Sequence, residues 1–491
     1  MKSMKNKKSD TNHRPAFLSA SWDAWKAIRE GKQGIAQRQH ERLQALVSYA
    51  RTYSRYFASA YRDVPEQVTD VRQLPVVTKA EMMRHFDEWV TDPLVTKQQV
   101  EAFIADPSRI GHDYLDRYVV CTTSGSTGIP AILVHDHGAL TVYNVLGYIR
   151  SLPIAFFSLR NIGALLRGRG RLAAVFVTGG HFLGNTLSAR RSRKMPWRAK
   201  TQRIFSALTP IPELVQELNA FQPVIVGGYP SALEVLAKEQ EAGKLQIHPV
   251  MINAAGETLT DAVRQRIAAA FGCAVGNYYG SSEAVGLTYE CKHHQLHVNS
   301  DWYILEPVDE NDQPVPSGQL SHAVLVTNLA NRVQPIIRYK MGDRVTISPD
   351  PCPCGSPFPV IHVIGRTDDI LSFPTPQGGM IQILPLAIAT IAEETQGVYT
   401  CQIIQTEPLK LKVRLAVRET AEEPMIWEAL QARLVTYLAE QGIANVAIEK
   451  APEPPQLHPK SGKFKQVWSE VQQHAHHRGR SANPRYTDDT Y

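Results

Sequence analysis

Residues Thr122 to Pro130 read Thr-Thr-Ser-Gly-Ser-Thr-Gly-Ile-Pro, a short run of hydroxyl side chains and glycines. It directly follows the apolar segment 118–121. Glycine lets a backbone turn tightly and approach a ligand closely. Hydroxyl donors and successive backbone N–H groups then make a nest for anions, and nucleotide phosphates are the natural guest. The run lacks the Gly-Lys-Ser/Thr ending of a P-loop. A plain flexible linker does not usually sit straight after a buried strand.

Three further groupings could act on the same ligand. Asn277-Tyr278-Tyr279-Gly280-Ser281-Ser282-Glu283 sets a carboxylate three residues after a glycine and beside hydroxyls. That suits Mg2+ held together with phosphates, and a ring before the glycine can stack on a base. Arg338-Tyr339-Lys340-Met341-Gly342-Asp343 and Gly365-Arg366-Thr367-Asp368-Asp369 each offer an Asp and an Arg. An Asp can accept both ribose hydroxyls, and an Arg can bind ribose or phosphate. Lys463, in Pro459-Lys460-Ser461-Gly462-Lys463-Phe464, is a point charge on a glycine-flexed loop that can reach a distant phosphate or carboxylate.

Strands and helices must position these groups. Residues 15–60 read as helical, with Trp22, Trp25 and Ile28, then Leu43, Leu46 and Val47, at helical spacing. Thr78 followed by Glu81 predicts a helix start. From 118 to 345, β-rich runs at 118–123, 172–178, 223–228 and 248–256 alternate with helical stretches, which predicts an α/β domain with a mainly parallel sheet. After Gly365 the pattern becomes a hairpin at 401–419, an amphipathic helix at 424–442 and one more strand, a small α+β domain. The expected organisation is a disordered basic tail 1–15, a large domain 16–367, a small domain 368–472 and a disordered tail 473–491.

The 491 residues carry a net charge of +6, and much of the excess lies in the two tails. Solvated tails are expected rather than a nucleic-acid-binding surface. No apolar run approaches the roughly 20 residues needed to span a bilayer. The basic N-terminus has no apolar segment after it, so it does not read as a secretory signal. These features predict a cytoplasmic protein without a membrane partner.

Six cysteines in a chain of this length do not suggest a disulfide scaffold. Cys352-Pro353-Cys354-Gly355 has the form of a metal knuckle, and Cys291 and His297 lie upstream in Glu290-Cys291-Lys292-His293-His294-Gln295-Leu296-His297. Cys291, His297, Cys352 and Cys354 would complete a tetrahedral structural zinc site, with His293 as the substitute ligand. Cys121, Cys273 and Cys401 sit in apolar runs and read as core.

Taken in order, these motifs resemble the signature series of the ANL adenylate-forming superfamily, which comprises acyl-CoA synthetases, peptide-synthetase adenylation domains and luciferases. The segment 74–81 (Leu-Pro-Val-Val-Thr-Lys-Ala-Glu), Gly228-Tyr229-Pro230-Ser231, Pro335-Ile336-Ile337-Arg338-Tyr339 and the Cys-x-Cys-Gly at 352–355 are similar to the phenylacetate-CoA ligase-like branch. That branch takes in coenzyme F390 synthetase-like and CapK-like chains, and the resemblance spans residues 45 to 470. Three positions depart from the pattern: no Lys follows Pro130, Met341 replaces a Thr, and Ser282 replaces a Thr while keeping its hydroxyl.

The resemblance implies a large N-terminal domain and a small mobile C-terminal one. It implies ATP-dependent formation of an acyl-adenylate from an aryl or arylacetic acid, then transfer to CoA. A carrier-protein phosphopantetheine or an amine is the alternative acceptor, an inactive zinc-stabilised nucleotide module is the alternative of another class, and a homodimer is compatible. Residue by residue, it implies that Thr123, Ser124, Gly125, Ser126, Thr127 and Gly128 hold phosphates. Gly256, Glu257 and Thr258, with Tyr279, would line the adenine pocket, Gly280 would belong to the cofactor site, and Asp343, assisted by Arg366, would bind ribose. Ser282 and Glu283 would serve phosphate and Mg2+. Lys463 would bridge carboxylate and α-phosphate, and Asp368 would be the hinge between the domains. His181 borders the acyl carboxylate or is a buried structural residue. The basic run Arg190, Arg191, Arg193, Lys194, Arg198, Lys200 and Arg203 would face CoA phosphates, an acidic carrier, or solvent.

Overall fold

The computed structural model describes residues 16–123, 131–151, 159–363, 371–375, 379–383, 385–417, 422–443, 445–456 and 466–471. The chain divides into a larger unit drawn from residues up to Gly365 and a smaller one that takes in the chain from Arg366. Among the described residues no helix is long and apolar enough to cross a membrane.

The centre of the larger unit is a parallel sheet. Its strands run in the order Gln202–Ser206, Leu172–Phe176, Ile225–Gly228, Met251–Ala255, Ala274–Tyr278. Helices such as Pro230–Glu241 and Asp261–Phe271 return the chain between strands. Three of the five strands fall on the β-rich runs expected at 172–178, 223–228 and 248–256. Each strand therefore delivers its next residues to the same edge, the place where ligands bind in open α/β sheets.

The run at 118–123 behaves differently. Tyr118–Thr122 pairs antiparallel with Ile132–Asp136 in a two-stranded ribbon rather than joining the parallel sheet. The reason is chain length: a parallel return needs a dozen or more residues, and too few separate these two strands. A bare ribbon leaves an edge unpaired. Here Gln334 Oε1 accepts from Val134 N at 2.8 Å, Gln334 donates to Ile132 O at 3.1 Å, and Asn331 donates to Val134 O at 2.8 Å. Antiparallel sheets complete the unit, one of Tyr303–Val308, Ala323–Asn328 and Ile336–Met341, another of Val345–Ile347, Val360–Val363, Leu296–Val298 and Thr288–Glu290.

The helix Phe17–Tyr53 packs along this body through Ala20, Ala24, Ala27 and then Leu43, Leu46 and Val47. It kinks at Gly31, whose φ of 70° suits a residue without a Cβ. Thr78 accepts from Glu81 N at 3.3 Å, capping the short helix expected there. Beneath the Phe17–Tyr53 helix lies a charged core. Arg150 and Asp301 have fully buried side chains and meet in a bidentate pair at 2.7 and 2.8 Å. Arg150 also donates to Asn299 Oδ1 (2.8 Å) and Ala24 O (3.1 Å), and its guanidinium lies 4.4 Å from the Phe358 ring centre. Burial alone would raise the Asp301 pKa, but Arg150 and Arg42 hold it below the usual carboxylate range.

The smaller unit contains the expected hairpin, Val398–Glu407 with Lys410–Val417. Ala447–Lys450 and Val467–Ser469 extend it in parallel to a four-stranded sheet. The helix Glu423–Glu440 buries Ile426, Leu430 and Leu434 along one face.

Removing one partner of a buried ion pair leaves an uncompensated charge, at a cost of about 3–5 kcal/mol. Asp301→Asn should lower stability by that order in denaturant unfolding at neutral pH. A loss below about 1 kcal/mol, typical of exposed pairs, would show that the pair does not hold this core.

Candidate functional site

Adjacent strands of the parallel sheet end in the expected ligand segments. Ile225–Gly228 runs into Tyr229 and Ser231, Met251–Ala255 into Gly256, Glu257 and Thr258, and Ala274–Tyr278 into Tyr279. Gly256 has φ 87°, and a Cβ there would lie 2.9 Å from the Tyr229 ring, so only glycine fits. Glu257 accepts from Ser231 N and Ser231 Oγ, both at 2.9 Å. Its carboxylate thus caps the first turn of the helix Pro230–Glu241, where negative charge is favoured. The two motifs Gly-Tyr-Pro-Ser and Gly-Glu-Thr are joined by this clamp, which the sequence reading did not anticipate.

Tyr279 is half-buried and donates its hydroxyl to Asp343 Oδ2 at 3.0 Å. The base-stacking and ribose-binding candidates therefore meet. Thr288 secures the Tyr279 backbone: its Oγ1 accepts from Tyr279 N at 3.0 Å and donates to Tyr279 O at 2.7 Å. Gly280 is tightly placed, since a Cβ would meet the Tyr278 hydroxyl at 2.9 Å. Ser281 lies 3.7 Å from the sulfur of Met341, the residue that replaces a Thr in the family pattern. Ser282 is half-buried. Glu283 is 6% exposed, and its backbone carbonyl accepts from Asn328 Nδ2 at 3.0 Å.

Under this turn runs a buried polar chain that sequence reasoning missed. Asn328 also donates to the Tyr143 hydroxyl (2.9 Å), which lies 3.3 Å from His135 Nδ1, and His135 Nε2 lies 3.6 Å from Cys121 Sγ. Burial lowers the His135 pKa to about 4, against the pull of Asp136 and the Ser282 backbone, so the ring is neutral at neutral pH. Burial first, then the Glu283 charge, pushes the Cys121 thiol up. The available signal was a His inside Ile132-Leu133-Val134-His135 and an Asn inside Leu325-Val326-Thr327-Asn328, polar groups at core positions that need partners.

The neck of the hydroxyl loop is closed by Thr123, whose Oγ1 accepts from Ala131 N at 2.9 Å while its N–H donates to Ala131 O at 3.0 Å. Ser124, Gly125, Ser126, Thr127 and Gly128 lie outside the described residues, as do Arg366, Asp368 and Lys463. His181 is 2% exposed, packed 5.4 Å from the Phe103 ring, with its carbonyl accepting from Thr122 N at 2.9 Å. Burial lowers its pKa, and the Asp106 and Val120 backbone nearby opposes this. Neither ring nitrogen has a partner in hydrogen-bond geometry among the described residues. Its carbonyl holds Thr122 at the end of the strand Tyr118–Thr122, and its ring belongs to the packed interior.

The Cys/His set converges. Donor atoms of Cys291, His297, Cys352 and Cys354 all lie within 4.8 Å of one another. The Thr288–Glu290 strand ends at Cys291, a turn closes through Cys291 N to Gln295 O at 3.0 Å, and the returning strand carries His297. A second turn, Gly355 N to Cys352 O at 3.1 Å, presents Cys352 and Cys354. Cys291 Sγ and Cys352 Sγ are 3.7 Å apart, and Cys354 Sγ is 3.4 Å from His297 Nε2. Two thiolates about 2.3 Å from a tetrahedral zinc stand roughly 3.8 Å apart, so the donor set fits that ion. His297 Nδ1 donates to Phe358 O at 2.8 Å, which leaves Nε2 free to ligate. His293, the substitute ligand, instead gives its backbone N–H to Cys291 Sγ at 3.4 Å. Cys121 and Cys401 are buried as expected, but Cys273 is half-buried because it follows Gly272 at an exposed helix end.

Three residues of the basic run, Arg190, Lys194 and Arg203, have acidic partners, and Arg193, Lys194, Lys200 and Arg203 are exposed. Asp113, whose side chain is 9% exposed, is flanked by Arg190, by Lys194 at 2.6 Å and by His137 at 3.2 Å. Arg203 pairs with Glu217 at 3.0 Å.

Comparison with known proteins gives an independent reading. The sequence profile of AMP-binding enzymes matches residues 56–320, more than half of the chain. Protein CapK of Staphylococcus aureus is 23% identical over 427 residues, covering 83% of this chain and 84% of that protein. Phenylacetate-coenzyme A ligase of Thermus thermophilus is 27% identical over 238 residues, 44% of this chain and 52% of that protein, so the match spans about half of its length. Among solved structures, 2-hydroxyisobutyryl-CoA ligase in complex with 2-HIB-AMP and CoA shares the fold over 97% of this chain and 98% of that one, with TM-score 0.55 and 20% identity.

The Asp113 cluster has a pH signature. Burial would raise the Asp113 pKa, but Arg190 and Lys194 lower it to about 2. Its folded pKa therefore lies below the unfolded value of about 3.9, so its stabilisation is complete above roughly pH 4 and fades as pH falls toward 2. The stability difference between wild type and Asp113→Asn should be constant above that window and shrink within it. A difference that persists unchanged to the acid limit would contradict the assignment.

Proposed function

The chain belongs to the AMP-binding enzyme family, and on that footing we propose that it is an acid–thiol ligase. It activates a carboxylic acid with ATP, releases pyrophosphate and passes the acyl group to a thiol. The observation that carries this reading is the Tyr279–Asp343 hydrogen bond, which joins two candidate nucleotide-binding segments near the carboxyl edge of the parallel sheet. The Glu257–Ser231 clamp, which joins the segments after the two neighbouring strands, supports it. The acyl-adenylate and CoA named for the 2-hydroxyisobutyryl-CoA ligase structure supply the ligand types. The Thermus relative's name favours an arylacetic or aryl acid as the substrate and CoA as the thiol.

The chemistry follows from charge. A carboxylate resists nucleophiles, and its oxygen is a poor leaving group. In the first step a carboxylate oxygen attacks the α-phosphorus of ATP, the bond to the bridging oxygen breaks, and pyrophosphate departs. In the second, a thiolate attacks the acyl carbon and AMP leaves. Both steps need alignment and neutralisation of negative charge. Tyr279 and Gly256–Thr258 would hold adenine, and Asp343 with Arg366 the ribose. The loop Thr123–Gly128 would hold the phosphates, with Ser282 beside them. Glu283 would hold Mg2+, which neutralises phosphate charge when bound. Lys463 would bridge the carboxylate and α-phosphate in the first step. Rotation of residues 368–472 about Asp368, relative to 16–367, would then withdraw it. His181 would contribute through its hold on Thr122, just before the phosphate-binding segment.

Cys291, His297, Cys352 and Cys354 would hold a structural zinc ion. Four protein ligands leave no coordination position for substrate, so its contribution is to stability.

Two measurements test this reading. Lys463→Ala should abolish pyrophosphate release in a panel of carboxylic acids yet retain thioester formation from synthetic acyl-AMP; loss of both half-reactions would count against the two-step scheme. ATP binding by the wild type without pyrophosphate release from any acid would instead favour an inactive nucleotide module. Purified protein should carry one zinc ion, and Cys352→Ser should lose it along with thermal stability; full stability without metal would remove the zinc assignment.

A further inference from the structure

The short strand Thr288–Glu290 stands between the two sites. Successive strand residues point to opposite faces, so Thr288 and Glu290 share one face and Tyr289 takes the other. The hydrogen bonds follow that alternation. On the first face, Thr288 is fully buried and its hydroxyl engages both the N–H and the carbonyl of Tyr279, at 3.0 and 2.7 Å. Two residues on, Glu290 Oε2 accepts from Asn277 N at 3.0 Å, and the same carboxylate pairs with Arg264 on the helix Asp261–Phe271. Arg264 in turn donates to Val275 O at 2.6 Å. Gly276 lies between these contacts, where a Cβ would press on Asn253 Oδ1 at 2.8 Å.

The opposite face meets the Cys/His cluster. Tyr289 pairs across the hairpin with His297, its ring stacked on the imidazole at 5.2 Å between centres and 18° between planes. Its hydroxyl lies 2.6 Å from Ser356 Oγ, two residues past Cys354. Cys291 continues directly from Glu290.

We propose that Thr288 and Glu290 are positioning residues for nucleotide binding, and that Tyr289 ties their alignment to the metal cluster on the reverse of the same strand. The strand fixes the last residues of Ala274–Tyr278 and the backbone of Tyr279, so the tyrosine hydroxyl arrives at Asp343 without a search for its conformation. Lost preorganisation appears as weaker ligand binding. This inference rests on the reading of Tyr279 and Asp343 as nucleotide-binding residues.

The test measures Mg-ATP affinity of the full-length, zinc-loaded protein by calorimetry. Thr288→Val keeps the shape and removes the hydroxyl; it should weaken binding about tenfold, the upper range for hydrogen bonds of this kind. Thr288→Ser restores the hydroxyl and should restore affinity. Glu290→Gln, which keeps an acceptor but loses the ion pair with Arg264, should weaken binding by a smaller factor and stands in if Thr288→Val does not fold. Tyr289→Leu should speed zinc loss to a chelator and weaken ATP binding together. Wild-type affinity in Thr288→Val and Glu290→Gln, or no rescue by Thr288→Ser, would overturn the positioning role. Zinc loss from Tyr289→Leu with unchanged ATP affinity would overturn the tie to the cluster. Absence of ATP binding in the wild type would instead remove the nucleotide reading beneath it.

Discussion

One hydrogen bond joins the parts of the larger unit that matter for chemistry. Tyr279 donates to Asp343 across a sequence separation of 64 residues. Tyr279 belongs to the end of the parallel sheet, and Asp343 follows the antiparallel strand Ile336–Met341. For the two to meet, both sheets must reach full register. The Asn331 and Gln334 amides that seal the Ile132–Asp136 ribbon and the Asn328 bridge to Glu283 serve the same end, each filling a backbone or side-chain valence that burial would otherwise leave open.

Polar groups are used in the interior where shape must be unique. The Arg150–Asp301 pair is fully buried and is supported by Asn299, Ala24 and Arg42, while Arg150 Nε has no hydrogen-bond partner among the described residues. Such a pair adds little net stability over an apolar replacement but is costly to break. It fixes the Phe17–Tyr53 helix against the 299–301 segment, and Phe358 under the guanidinium is also the residue whose carbonyl orients His297. The charged core and the Cys/His cluster thus share a neighbour.

Much of this was legible in the sequence, because chemistry constrains residue type more tightly than packing does. The motif order around Tyr279, Asp343 and the Cys/His set pointed to the right family, and β-rich runs located three strands of the parallel sheet. The Val398–Val417 hairpin was visible through its alternating pattern. What stayed hidden depends on three-dimensional pairing. The 118–122 run looked like a parallel strand, since apolar character does not report the partner's direction. The Glu257–Ser231 clamp joins residues 26 apart through a helix N-terminus, and nothing local marks it. Nothing local in the basic run marks Asp113, 77 residues upstream of Arg190, as the partner of Arg190 and Lys194. His135, Tyr143 and Asn328 are ordinary residues singly and form a network only when folded.

Acyl-adenylate formation requires that a carboxylate oxygen become bonded to the α-phosphorus of ATP. The most direct measurement uses a substrate acid labelled with 18O in its carboxylate and follows the label by mass spectrometry after complete turnover with CoA. Acyl-adenylate formation predicts that one labelled oxygen ends in AMP, because the thiol attacks carbon and the phosphorus keeps the bridging oxygen. Label in inorganic phosphate, with unlabelled adenine nucleotide, would rule out the adenylate and point to an acyl-phosphate route.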